Sequence, residues 1–140
     1  MIVYLVRHAR AGQRAEWVGD DRLRPLDARG RRQADALVTQ LAGWELTRIV
    51  SSPYVRCVET VMPLAEARGL TVEPDDALAE GARERAALDL LRGAAGALAA
   101  CVHGDLVEEL LGAKLKKGAT AVLELSADGL ELLDRLDPPA

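Results

Sequence analysis

The stretch Leu5-Val6-Arg7-His8-Ala9-Arg10 closes the first apolar segment of the chain. Residues 2–6 combine isoleucine, valine and tyrosine, a composition typical of a short buried strand. His8 is one of only two histidines and stands between two arginines; the other, His103, follows a second apolar segment, Ala100 to Val102. Ligands of open α/β sheets bind outside the carboxyl ends of the strands, so two strands that each end in a histidine predict a site at that edge.

Strand and helix patterns alternate along most of the chain. Further strands are predicted at 48–51, 70–72 and 100–102, and helices at 27–42, 52–68, 83–99 and 104–111. Asp27 and Ser52, the latter before Pro53, are predicted N-caps. This alternation predicts a three-layer α/β/α sandwich around a mostly parallel sheet.

The last part of the chain has a different pattern. Residues 120–125 and 130–136 alternate as strands, and Ala127-Asp128-Gly129 joins them. An Asp-Gly pair between such segments is typical of a β-hairpin. We therefore expect an antiparallel hairpin at the C-terminal edge of the sheet.

Length and composition indicate one ordinary globular domain over residues 1–140. The formal net charge of −4 disfavours general binding to nucleic acid or to an acidic membrane, although a local arginine cluster still suits a small anion. Cys57 and Cys101 are too few for a disulfide framework or a metal quartet, and thiols fit a reducing compartment. No signal peptide or membrane span is visible, so we expect a cytoplasmic protein.

Four separate segments deliver polar residues to the same predicted edge. Arg7 and His8 follow the first strand, Arg56 lies behind the second, Glu80 follows the third and His103 follows the fourth. A neutral imidazole can attack phosphorus, and arginine binds phosphate oxygens while keeping its charge. Glu80 is a candidate to protonate the leaving oxygen and later to activate water. The predicted chemistry is phosphoryl transfer.

Several motifs resemble the histidine phosphatase superfamily, also called phosphoglycerate-mutase-like. They occur in that family's order between residue 3 and about residue 112. The motifs are Leu5-Val6-Arg7-His8; Arg24-Pro25-Leu26 with Gly30 and Gln33-Ala34; Ser51-Ser52-Pro53 with Arg56, Glu59 and Thr60; and Val102-His103-Gly104. Ala9, where many members carry glycine, and the short chain favour the small SixA-type phosphohistidine phosphatases over mutases.

The resemblance implies a role for each matched residue. His8 would be the phosphorylated nucleophile, with no metal or other cofactor. Arg7, Arg56 and His103 would bind the phosphoryl group, with backbone N–H donors at Gly104. Glu80 lies about where many members carry the proton donor.

These inferences leave three functional alternatives. The first is a phosphatase for protein phosphohistidine or another phosphorylated substrate. The second uses the same mechanism on nucleotide or dinucleotide polyphosphates, because residues 7–25 and 51–60 also resemble the phosphatase domain that follows a Nudix domain in some actinobacterial proteins. The third is an inactive phosphate-binding regulatory module. A Rossmann-type nucleotide binder is disfavoured because no glycine-rich loop follows the first strand.

Overall fold

The computed structural model describes residues 1–139. Six strands form one sheet: β1 (Ile2–Arg7), β2 (Arg48–Ser51), β3 (Val72–Pro74), β4 (Leu98–Val102), β5 (Thr120–Ser126) and β6 (Gly129–Leu136). Their order is β3-β2-β4-β1-β5-β6. The first four strands pair in parallel, and β5 and β6 are antiparallel. This mostly parallel sheet with an antiparallel C-terminal edge confirms the predicted fold class.

Helices cover both faces of the sheet. They are α1 (Ala28–Gln40), α2 (Val55–Arg68), α3 (Glu84–Gly93) and α4 (Gly104–Leu111). The first two helices share one apolar core with the sheet, in which Leu37 and Leu64 pack near Val6. The other two share a second core, in which Leu91 and Leu106 pack near Leu5. Val6 and Leu5 point to opposite faces because side chains alternate along a strand.

Several predicted boundaries agree with the structure. β2 and α4 have the predicted ends, and the side chain of Asp27 caps α1 by accepting a hydrogen bond from the Gly30 N–H at 2.7 Å. Gly69 ends α2 in the left-handed conformation. These features depend on neighbouring residues, which is why local patterns indicate them.

Three predictions about local structure were wrong. The helix expected over 83–99 ends at Gly93, and residues 98–99 lie in β4 because they are fully buried in the sheet. The third strand begins at Val72 rather than Leu70, whose N–H instead bonds to the carbonyl of Ala65 at the end of α2. Tyr54, not Ser52, is the N-cap of α2, and the Ser52 hydroxyl turns towards His103.

The parallel strands bring three carboxyl ends to one edge. Arg7 pairs with Val102 across β1 and β4, and Ser51 pairs with Cys101 across β2 and β4. The loop before β5 reaches the same edge, where the Gly118 N–H donates to the carbonyls of Arg7 at 3.1 Å and His8 at 3.0 Å. The predicted site residues are thereby gathered at this edge. Within residues 1–139, no helix has the length and apolar character needed to cross a membrane.

Candidate active site

His8 lies at the end of β1, and its side chain is buried. Its Nδ1 is 2.8 Å from the carbonyl oxygen of Ala9, so Nδ1 carries the proton and donates it, which leaves a lone pair on Nε2. Burial is the main reason that the pKa of His8 falls to about 3, and the nearby His103, Arg56 and Arg7 lower it further. The ring is therefore neutral at pH 7, the form in which imidazole is nucleophilic.

The loop that carries His8 is tied to the neighbouring elements. The Ala9 N–H donates to the Thr60 hydroxyl at 2.9 Å, and that hydroxyl donates to the carbonyl of Arg56 at 2.7 Å. The His8 N–H donates to the carbonyl of Val102 at 3.1 Å. His8 is thus fixed relative to both α2 and β4.

His103 faces His8 across the edge, with ring centroids 5.5 Å apart. The Ser52 hydroxyl lies 2.8 Å from its Nε2 and already accepts a hydrogen bond from the Tyr54 N–H at 3.2 Å. The hydroxyl proton can therefore be donated to Nε2, and in that tautomer the imidazole proton is on Nδ1. That nitrogen lies 3.6 Å from a carboxylate oxygen of Glu80.

Arg7 lies against the beginning of α4. Its Nη1 donates to the carbonyl of Leu115 at 2.7 Å, which holds the guanidinium across the edge. A Cβ added to Gly104 would lie 2.9 Å from Arg7 Cζ, closer than real Cβ atoms approach. Position 104 therefore has to be glycine for the guanidinium to pack there.

Arg56 is completely buried in the first turn of α2. Its Nη1 donates to the carbonyl of Asp21 at 2.9 Å, and its Nη2 donates to the carboxylates of Asp21 at 3.1 Å and Glu80 at 2.7 Å. The guanidinium carbon also lies 4.9 Å from the centroid of the Tyr54 ring. Two carboxylates thus compensate this buried charge.

Glu80 links that buried arginine to a second one at the surface. Its two carboxylate oxygens accept hydrogen bonds from Arg14 Nη2 at 2.7 and 2.8 Å, and the Arg14 side chain is 61% exposed. The Glu80 carboxylate is itself 29% exposed. It therefore lies at the boundary between the buried cations and solvent.

Three buried nitrogen donors of these side chains have no hydrogen-bond partner within residues 1–139. They are Arg7 Nε, Arg56 Nε and His103 Nδ1. An unsatisfied buried donor costs about 1–3 kcal/mol, so a cluster of three favours this place as a binding site for an acceptor. Arg7, His8 and His103 line a cavity of about 530 Å³. Two guanidinium groups and an imidazole N–H suit a phosphate or a similar oxyanion.

Comparison with known proteins agrees with this geometry. The model of the histidine phosphatase superfamily (branch 1) matches residues 3–88. The chain belongs to the histidine phosphatase superfamily. An 8-oxo-(d)GTP phosphatase of Mycolicibacterium smegmatis is 37% identical over 155 aligned residues, which cover 98% of this chain and 48% of that protein. The chain thus spans about half the length of this relative.

Two solved histidine phosphatases have the same fold. The protein histidine phosphatase SixA, in complex with tungstate, matches with a TM-score of 0.83 and 21% identity, covering 99% of this chain and 97% of its own. SixA from Agrobacterium tumefaciens matches with a TM-score of 0.80 and 24% identity, covering 98% of both chains. The superfamily, and the phosphatase class that it is named for, are those that the sequence motifs around Arg7 and His8 predicted.

The structure brings every predicted site residue to one edge of the sheet: Arg7, His8, Arg56, Glu80, His103 and Gly104. Their individual roles stay predictions. Within residues 1–139, no group of three or more histidine, cysteine, aspartate and glutamate side chains is arranged to hold a metal ion.

Asp21 and Ser52 contact predicted site residues, although the sequence prediction gave neither of them a role in the site. Asp21 lies in the charged run 20–24 and binds Arg56, while Ser52 was expected to cap a helix and instead bonds to His103. The Ser51-Ser52-Pro53 motif was a signal for Ser52. Nothing in the sequence distinguishes Asp21 from a solvated acid.

Proposed function

We propose that the chain is a phosphatase that hydrolyses phosphate monoester or phosphoramidate bonds through a phosphohistidine on His8, without a metal ion. One observation carries this proposal. The neutral, buried His8 keeps an Nε2 lone pair and lines a cavity beside Arg7, Arg56 and His103, each of which has an unpartnered N–H donor.

In the first step, Nε2 of His8 attacks phosphorus while the bond from phosphorus to the leaving oxygen or nitrogen breaks. Arg7, Arg56 and His103 donate to the oxygens of the transferring phosphoryl group, where negative charge is spread in the transition state. The Nδ1–H bond to the Ala9 carbonyl stabilises the positive charge that develops on the His8 ring. The leaving group departs with a proton.

Glu80 is our candidate for moving that proton. An incoming phosphate competes with the Glu80 carboxylate for Arg56, which releases Glu80 towards the leaving group. Glu80 first takes a proton from the monoanionic phosphate group of the substrate and then donates it to the leaving atom in the first step. In the second step it takes a proton from water, whose oxygen attacks phosphorus and breaks the bond to Nε2.

Phosphorylated nucleotides are the substrate class that we rank first. The relative with 37% identity is named an 8-oxo-(d)GTP phosphatase. The SixA likenesses, at 21% and 24% identity, concern the fold alone. Protein phosphohistidine, which the sequence motifs favoured, is therefore the second candidate.

Turnover of p-nitrophenyl phosphate with excess EDTA tests the reaction class. We expect activity that EDTA does not lower, together with hydrolysis of at least one nucleotide. Phosphate binding without turnover of any nucleotide, aryl phosphate or phosphoramidate would instead identify an inactive binding module. We also propose that residues 1–140 form one domain and that the protein acts in the cytoplasm.

A further inference from the structure

A second cavity, of about 860 Å³, adjoins the proposed catalytic cavity. Five cationic side chains line it, and we call it the basic groove: Arg10, Arg29, Arg32, Lys116 and Lys117. One acidic residue, Asp137, also lines it. The whole chain carries a formal net charge of −4, and its three lysines all fall within residues 114–117. The positive charge is therefore concentrated locally.

The cations of the basic groove have no ionic partners within residues 1–139. None of the five has a carboxylate oxygen of residues 1–139 within 4.0 Å, whereas Arg14, Arg24 and Arg56 all bind Asp21. Burial, followed by the charges of Arg7 and other arginines, lowers the pKa of Lys117. Like charges held together in this way repel one another, and a bound anion would relieve that repulsion.

Buried contacts hold the three segments of the basic groove together. The Arg10 N–H donates to the side chain of Gln33 at 3.1 Å, and a Cβ on Gly118 would lie 3.2 Å from that same side chain. A Cβ on Gly30 would lie 1.9 Å from the Arg10 carbonyl oxygen, so α1 packs directly on this backbone. The backbone that carries the five cations is therefore positioned before any ligand binds.

The basic groove is continuous with the catalytic cavity. Gly12, Gln13 and Lys117 line both spaces. Arg10 follows His8 by two residues, so their Cα atoms are at most about 7 Å apart. The Gly118 N–H bond to the His8 carbonyl places the preceding residue, Lys117, near His8 as well. A phosphate chain that begins at His8 can therefore reach these cations.

We infer that the basic groove is a second anion site, which binds further phosphate groups of the same substrate molecule while one phosphoryl group is transferred at His8. Its volume lies in the range of small-molecule sites, about 300–1,000 Å³. The groove is also concave, whereas most protein interfaces are flat. Guanidinium and ammonium groups pair strongly with phosphate oxygens. This inference rests on the proposed function and narrows its substrate class to compounds with two or more neighbouring phosphates.

Kinetics with adenosine mono-, di- and triphosphate test this inference, because the series changes the number of phosphates and not the base. We expect kcat/KM of the wild-type protein to rise from the mono- to the triphosphate. The double variant Arg29→Gln/Arg32→Gln should lower the ratio of kcat/KM for triphosphate to that for monophosphate about tenfold, mainly through KM. The matched control Arg85→Gln/Arg92→Gln removes two exposed arginines from α3, outside both cavities, and should leave the ratio unchanged.

The possible outcomes distinguish a failure of the second anion site from a failure of the proposed phosphatase reaction. Wild-type protein that hydrolyses p-nitrophenyl phosphate but prefers the monophosphate would overturn the second anion site alone. An equal loss for all three nucleotides in the Arg29→Gln/Arg32→Gln variant would also overturn it. Casein, an acidic phosphoprotein, would be assayed as a further substrate. If the Arg29→Gln/Arg32→Gln variant lost activity on casein alone, the groove would be a docking site for a protein and not for a phosphate chain. Failure to hydrolyse any phosphate compound would contradict the proposed function.

Discussion

The ends of β1 and β4 look alike in sequence but present their histidines differently. Each is a buried strand followed by one histidine, and the two strands are paired neighbours. His8 uses Nδ1 to bind the Ala9 carbonyl, which leaves Nε2 for chemistry, whereas His103 uses Nε2 to bind Ser52 and leaves Nδ1 towards the cavity. In our proposal, the carbonyl neighbour leaves His8 Nε2 free to act as the nucleophile, and the hydroxyl neighbour leaves His103 Nδ1 as a donor.

The strongest test of this difference is His8→Ala. Because Nε2 of His8 forms the covalent intermediate in our proposal, we expect kcat to fall by about 10⁴-fold or more. Phosphate binding, measured by calorimetry, should persist since Arg7, Arg56 and His103 remain. Turnover near the wild-type level would show that the two strand ends have been assigned the wrong roles.

His103→Ala should have the next largest effect. It removes one donor to the phosphoryl oxygens and leaves the nucleophile in place, so we expect kcat/KM to fall by about 10²–10³-fold. Rapid-quench kinetics should show slower formation of the phosphoenzyme, not its absence. If His103→Ala abolished the phosphoenzyme while His8→Ala retained it, the comparison would be reversed.

Ser52→Ala should have a smaller effect, because among the proposed phosphate-binding residues the Ser52 side chain contacts only His103. Loss of the hydroxyl frees Nε2 from its partner and lets the proton leave Nδ1, which should lower kcat/KM roughly tenfold, or about 1.4 kcal/mol. Weaker phosphate binding together with an altered pH profile would separate this positioning role from a loss of stability. Ser51→Ala is the matched control, since the buried Ser51 hydroxyl bonds to the backbone of Ser52 and not to His103.

The smallest expected effect is on the pH dependence of the free energy of unfolding. The pKa of His8 is lowered to about 3, from the 6.5 of an ordinary histidine, so between these values the unfolded chain binds a proton that the folded chain does not. The free energy of unfolding should therefore fall as the pH drops below 6.5, with His8 contributing at most about 1.4 kcal/mol per pH unit. Urea unfolding of His8→Asn should show a shallower decline, and His103→Asn serves as the comparison. An unchanged slope in His8→Asn would contradict a buried, neutral His8.

The sequence predicted the fold and the main site residues because those signals are local. A β-rich segment before Arg7-His8 and an acidic N-cap at Asp27 can be recognised within a few neighbouring positions. The contact of Asp21 with Arg56 and that of Ser52 with His103 join segments 35 and 51 residues apart, and no local pattern marks them. The basic groove is also non-local, since Arg29 and Lys116 come together only through the packing of α1 on the sheet edge.

Phosphoenzyme trapping tests the central claim most directly. The protein would be incubated with a ³²P-labelled phosphodonor, quenched in alkali and mapped by peptide analysis. We predict a label that survives alkali, is lost in acid and lies on His8, with none in His8→Ala and slower labelling in His103→Ala. A label on His103, or normal turnover with no label on His8, would contradict the account.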